Sequence, residues 1–438
     1  MNRPVKQHLS RSLCVLLLAP SVIAAQTTMF RGGPEHRGVY ASSAPTLKDV
    51  VWKFRTKGRI LSSPAVSDST VYVGSSDGGL YAIDRATGKQ RWRFATGGPI
   101  ASSPAVANGL VYILSVDGKC YAVDAASGQQ RWAFATKGER RFTAPGIHGA
   151  IPRTERMPDP FDVFLSSPTV SDHLVIFGSG DQHVYALDAA DGKPAWSFAT
   201  GDVVHSSPAV ANGLVFVGSW DRNLYALDLK SGRERWHYTT GNDTTIYNQI
   251  GIASSPAVMD GMVFVGGRDG HFHAVDAATG KLRWTHDNHM GWTIASPAVR
   301  DGVVYFPTSD GTRFKALDAA TGAVRFNVEN KAVSFSSPAL VGDVAYYGTS
   351  DGWLHAADIA TGAIKAEFQT DGSRENVAQW TDSTGRFQSG RMYPDRTLDG
   401  MMIGMRTMFT VGSILSSPVV ADGVLYVGSA DGQLYAIR

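Results

Sequence analysis

His205, Trp220, Arg222 and Arg268 are the residues of this sequence whose types are best suited to binding chemistry. An arginine fork takes a carboxylate through two parallel hydrogen bonds, and an indole face offers a plate to a sugar ring or a cation. A histidine matched with an arginine could also abstract a proton beside a carboxylate. Three loop segments supply more of the same types. Arg141 and His148 lie in the first, Tyr247 and Asn248 in the second, and Arg374, Trp380 and Arg386 in the third. Together they predict a binding cluster for a small anionic ligand, a polysaccharide or an envelope protein. A plainer reading stands beside it. These side chains pack beneath the loops, and loop acids of comparable number pair with the arginines.

The aspartates read differently. Asp77, Asp117, Asp181, Asp221, Asp269, Asp310, Asp351 and Asp431 recur at equivalent turns. Aspartate bonds its own backbone in turns, so a residue present in every copy is read as structural rather than as a ring of metal ligands. His271-Phe272-His273 puts two imidazoles on one strand face, since side chains alternate along a strand. No third ligand is evident, and no metal site is expected. No Gly-x-Ser-x-Gly, P-loop or His-Glu-x-x-His motif is present, so catalytic residues stay unassigned. Cys120 stands where other copies carry Leu or Val, which reads as a small buried hydrophobe.

A repeat must position these residues. Ser-Ser-Pro recurs, with Ala295-Ser296-Pro297 as a diverged copy, at Pro64, Pro104, Pro168, Pro208, Pro256, Pro297, Pro338 and Pro418. The intervals are 40, 64, 40, 48, 41, 41 and 80 residues, a base period of 40 with three insertions. Periods of this size mean solenoids or propellers. Each copy reads as four short strands. In the fourth copy they are Ser206 to Val210, Leu214 to Gly218, Leu224 to Asp228 and Arg235 to Thr239, with Asn212-Gly213 as a hairpin turn. Four short antiparallel strands per copy make a propeller blade. The fold class is therefore all-β, an eight-bladed β-propeller. The sequence from Val50 to Thr56 is a fourth strand with nothing before it, and the chain ends on a third strand, so the N-terminal strand closes the C-terminal blade. No helical periodicity competes with this pattern.

The insertions fall at about 137–165, 241–253 and 370–412, each between the fourth strand of one blade and the first of the next. That places them on the face of the turn aspartates, and loops gathered on one face of a rigid scaffold are where binding usually lives. The outliers share this face. Just before Ser-Ser-Pro only His205 is polar, and just before the turn aspartate only Trp220 and Arg268 are large. Arg222 and Gln182 replace the glycine that follows the aspartate in the other copies. The stretch from Asp310 to Asp318 is one residue longer than its counterparts and holds Arg313 and Lys315.

The pattern Ala-x-Asp-x-x-Thr-Gly-x-x-x-Trp carries a resemblance. It stands at Ala82-Asp84-Thr87-Gly88-Trp92 and Ala274-Asp276-Thr279-Gly280-Trp284, and with one substitution around Trp132, Trp196 and Trp236. Phe326 and Ala366 replace the tryptophan in copies six and seven. With the opening Met29-Phe30-Arg31-Gly32-Gly33, the chain resembles the PQQ-like β-propeller proteins. That family includes quinone-dependent alcohol dehydrogenases and the propeller subunit of outer-membrane assembly machinery, which binds no quinone. The resemblance implies the fold and leaves two functions open. One is a binding or scaffold protein acting through the insertion-bearing face. The alternative is a PQQ-dependent oxidoreductase with calcium, or a polysaccharide-active hydrolase or lyase using the same face. The adjacent cysteine pair of the large dehydrogenases is missing, and no calcium or base residue is carried over.

Residues 1–25 hold Arg3, Lys6 and Arg11, then a short apolar stretch, Pro20 and a small-residue site around Ala24-Ala25, which reads as a signal peptide. Cys14 begins the apolar stretch, so no lipid anchor is expected. Residues 26–49 form a lead-in and residues 50–438 the propeller. The whole chain of 438 residues has a net charge of +2, and without the leader 38 basic residues face 39 acidic ones. Near neutrality with no basic run argues against nucleic acid and anionic lipid. A periplasmic or secreted monomer is expected.

Overall fold

A computed structural model describes residues 28–242, 250–289 and 291–438. The leader, Tyr247 and Asn248 lie outside the described residues. Eight four-stranded antiparallel sheets form the blades of a propeller. Blade one holds Ala65–Ser67, Thr70–Gly74, Gly79–Asp84 and Gln90–Ala95. Its second strand is buried throughout and its fourth alternates toward solvent, the gradient from axis to rim. The eighth blade takes its fourth strand from Val50–Arg55, antiparallel to Gln433–Ile437 with Phe54 opposite Leu434. Closure therefore removes the sheet edges that an open ring would expose.

The repeated residues join one blade to the next. The Trp92 indole N–H donates to the Ala125 carbonyl at 3.0 Å, and Trp196 does the same to Leu229 at 2.9 Å. The glycine of the motif makes room for that ring. Gly128 has φ +73°, and a Cβ there would lie 2.7 Å from the Trp92 indole. Around the axis the second serine of each Ser-Ser-Pro forms a closed ring. The backbone N–H of Ser63 donates to Ser103 Oγ at 2.9 Å, each serine donates onward in turn, and Ser417 returns to Ser63 Oγ at 2.9 Å. The lead-in crosses the ends of the first strands on the face away from the turn aspartates. The carbonyls of Pro34, Glu35, Arg37 and Gly38 accept from Val210, Val258, Val299 and Leu340.

Two helices correct the expectation of a chain without helical periodicity. Both lie in the third long connection, α1 at Asp371–Asn376 and α2 at Leu398–Thr410. Thr397 caps α2, accepting from the Gly400 N–H at 3.1 Å. Met401, Met405, Met408 and Phe409 give it a buried face. Gly400 and Gly404 lower its helix propensity and blur the period. A Cβ at Gly404 would lie 2.1 Å from the Tyr393 ring, so close packing selects the glycine.

Candidate functional site

The connections Thr136 to Pro168 and Thr370 to Pro418 lie over the mouth of the axis. Leu61, Ile294, Phe335 and Leu415 from the blades pack with Met392, Met405, Met408 and Phe409 from the third connection. The axial mouth is thus a small hydrophobic core. Trp380 packs against it rather than facing solvent as a binding plate.

Three acids of the first connection bind the outliers of blades four and five. Arg268 is 1% exposed and pairs with Asp159, which is fully buried. Its guanidinium lies over the Trp220 and Trp292 rings, 4.7 and 4.8 Å from the ring centres. Phe142 stacks on the far side of Trp220 at 4.5 Å. His148 Nε2 lies 2.9 Å from Asp159 Oδ1 and 3.2 Å from an Arg268 nitrogen. One ring nitrogen cannot both donate to the carboxylate and accept from the guanidinium, so the tautomer selects one partner. Burial would raise the Asp159 pKa, but Arg268 and His148 hold it well below the usual carboxylate range.

His205 sits between two further acids. Its Nδ1 is 2.6 Å from Asp162 and its Nε2 is 3.3 Å from Glu139. Burial would lower its pKa, yet Asp162 and then Glu139 raise it to about 10. It is a structural imidazolium, not a poised general base. Asp162 also accepts from the Phe142 N–H at 2.7 Å, and Glu139 from the Gly180 N–H at 2.9 Å.

The structure therefore gathers His148, Trp220 and Arg268 into one network and places His205 in a neighbouring one. It does not bring the rest to them. Arg222 donates to Asn242 at 2.9 Å on the surface. Arg374 pairs with Asp371 and lies over Phe368, and Arg386 pairs with Glu329. Among the described residues Arg141 reaches the Met402 sulfur at 3.9 Å and no acid. The arginine expected at the centre of an anion site is already neutralised by Asp159.

The residue that the sequence reading set aside is Asp310. Six of its seven counterparts are tied down; the seventh, Asp351, also departs, accepting from the Thr349 hydroxyl at 2.5 Å and the Trp353 N–H at 3.5 Å, but it is buried. Asp221 accepts from the Asn223 N–H at 2.9 Å, the Gly201 N–H at 2.7 Å and the Tyr225 hydroxyl at 2.7 Å. Asp77, Asp117, Asp181 and Asp431 repeat this arrangement, and Asp269 does so with His273 for the tyrosine. Among the described residues Asp310 accepts from the adjacent Ser309 hydroxyl, at 3.3 Å, and from its own backbone N–H, and has none of the donors of that arrangement. The extra residue in its turn displaces it, and Thr308 Oγ1 takes over the Arg313 N–H at 3.0 Å. Lys315 stands where the tyrosine would be and donates to Asn288 at 2.9 Å. The longer turn was the visible signal.

Asp310 faces a cavity of about 610 Å³ walled by Phe161, Trp292, Tyr393 and His148, with Asp395 and Arg396 on the outer side. The cavity lets solvent reach the carboxylate while protein surrounds it. Burial therefore raises its pKa, against the opposing pull of His148 and Arg268. His148 enters this wall from a left-handed backbone, φ +52°, which is unusual for a residue with a side chain. Three aromatic rings, the polar Asp395 and Arg396 and one loosely held carboxylate can hold a ring-shaped, hydroxyl-bearing ligand.

A carboxylated quinone such as PQQ does not fit at Arg268 and Trp220, because Arg268 is already paired with Asp159 and packed against two indole rings, and the axial mouth is filled by side chains. Among the described residues no group of three or more His, Cys, Asp or Glu side chains is arranged to hold a metal ion.

Fold and repeat together define a PQQ-like β-propeller. Residues 38–151, 155–253 and 245–391 match a family model described as outer membrane protein assembly factor BamB, and the chain belongs to that family. No curated protein matches the sequence. Among solved structures, BamB from Moraxella catarrhalis is similar at 17% identity and TM-score 0.63, over 89% of this chain and 97% of that one. The quinohemoprotein alcohol dehydrogenase of Comamonas testosteroni is similar at 15% identity and TM-score 0.69, over 94% and 80%. A europium-containing methanol dehydrogenase gives 15% and 0.67, over 94% and 98%. At these identities the likeness is one of fold, which does not set chemistry.

Proposed function

We propose that this chain is an exported envelope protein that binds a small ligand through its insertion-bearing face, in the cavity beside Asp310. The observation that carries the reading is that Asp310, released from the turn role six of its seven counterparts keep, lines a cavity, whereas the other departure, Asp351, is buried. A carboxylate freed from that role and set among aromatic walls is available to a ligand. Its sign changes the expected ligand class. The arginines that pointed to an anion are mostly spent on internal acids, so a neutral or cationic sugar, an amino sugar above all, fits better. Rings stack on Trp292 and Phe161, and Asp310 takes a hydroxyl or ammonium group. The cavity volume lies in the range usual for small-ligand sites. Export rests on the leader at residues 1–25 and on membership of a family named for outer-membrane assembly. Among the described residues no helix is long and apolar enough to cross a membrane.

Calorimetric titration with the β-1,4-linked glucosamine disaccharide tests the proposal. Asp310→Asn is expected to weaken binding about tenfold or more, the loss of one charge-assisted contact of about 1.4 kcal/mol. It should leave the melting temperature almost unchanged. Asp221→Asn, at the equivalent turn, should lower stability by about 1 kcal/mol, because the part-buried Tyr225 hydroxyl and the Gly201 N–H share a carboxylate oxygen that the amide nitrogen can replace only as a donor. Equal affinity in wild type and Asp310→Asn, or no binding of either the amino sugar or its neutral N-acetyl form, would count against the site.

A further inference from the structure

A second concavity on the same face, about 320 Å³, opens over blades one to three. Its floor is apolar, made by Leu61, Ala101, Phe164 and Leu165. Its rim is cationic, and its charges come from separate elements. Arg59 precedes blade one, and Arg140 and Arg141 open the first long connection; Arg406 of α2 lies outside the lining but within electrostatic reach of Arg59.

Elsewhere the repeat gives its arginines an acid. Arg91 pairs with Asp84, Arg131 with Asp124, Arg283 with Asp276 and Arg325 with Asp318. Among the described residues the rim arginines form no such ion pair, and of them only Arg140 lies within electrostatic reach of a further acid, Asp202. The Arg59 guanidinium lies 4.6 Å over the Phe409 ring, and the ion pairs of the described residues give it no carboxylate. Burial and then the charge of Arg406 lower its pKa, so two like charges have been brought together. Arg140 is anchored on the Gly180 carbonyl at 3.0 Å, and Arg141 touches a sulfur and no acid among the described residues. The two acids at the pocket, Glu139 and Asp162, are both committed to His205. The pocket keeps a net positive charge above an apolar floor. Gathering like charges without a counter-ion is unfavourable, and arginine is the side chain best shaped to take an oxyanion.

We propose that this pocket binds a small organic anion with an apolar body, the oxyanion held by Arg59 and Arg141 and the body lying on Leu61, Phe164 and Leu165. It is independent of the Asp310 site, which takes the opposite charge.

Decanoate is the probe, with 1-decanol as its uncharged counterpart and inorganic phosphate as the anion without a body. Calorimetry on the mature chain should show decanoate binding tighter than either control. Binding should weaken at least tenfold in the double variant Arg59→Gln, Arg141→Gln, and weaken again between about 50 and about 500 mM salt, where screening is strong. Asp310→Asn should leave it unchanged. If the double variant fails to fold, Arg141→Gln alone, at an exposed position, should still weaken decanoate binding severalfold. Equal binding of decanoate and decanol, phosphate binding as tight as decanoate, full retention of binding in the arginine variants, or no binding at all would overturn the proposal.

Discussion

Repetition supplies an internal baseline at the scale of single residues, and departures from it are readable without any other sequence. That is why His205, Trp220 and Arg268 stand out from sequence alone. Their partners do not. Asp159 and Asp162 lie in an insertion with no counterpart in other blades, so nothing marks them until the chain folds back over blades four and five. Asp310 was hidden differently, as one member of a set read as uniformly structural. His205 carries a pH prediction. A free histidine titrates near 6.5, and here two carboxylates hold the imidazolium to about 10. Its raised folded-state pKa contributes stability that is complete below about pH 6.5 and is lost as pH rises through about 10. His205→Gln leaves two buried carboxylates without their cation and should cost about 3–5 kcal/mol near pH 6. The gap in melting temperature between wild type and variant should shrink toward pH 10.5. A gap that is constant with pH would show that His205 is held neutral.

Element by element, the strands are legible because turn chemistry and burial agree. Asn-Gly hairpins, the Thr-Gly turn and alternating outer strands all point to one blade. The Ser-Ser-Pro sequence is legible as a marker of the repeat, but not as the hydrogen-bonded ring that its second serine builds, because the bond joins different copies. The third connection is the least legible element. Its helix α2 carries two glycines and earns its stability from tertiary packing, which periodicity alone does not reveal. Thr397→Ala should cost about 1 kcal/mol by removing the cap. Hydrogen exchange should then rise selectively over residues 398–410 while the blades keep their protection. Uniform loosening of the whole chain would mean that α2 is integral to the propeller rather than a cover on it.

For the whole molecule, the ring is a rigid stage closed by its own N-terminal strand, and the two long described connections divide one face into two pockets of opposite character. Their division follows from where the acids went. Asp159, Asp162 and Glu139 neutralise the cations near blades four and five. Asp310 is left to one side and Arg59, Arg141 and Arg406 to the other. The fold itself is shared with proteins of different chemistry, so it cannot select between them. The central claim is that Asp310 is kept for a ligand. Native mass spectrometry of the mature protein from its own cell envelope, beside the Asp310→Asn variant, tests it most directly. The account predicts an added mass of a few hundred daltons, about the size such a cavity holds, on the wild type and not on the variant. Wild-type protein without added mass, or the same mass retained by Asp310→Asn, would contradict it.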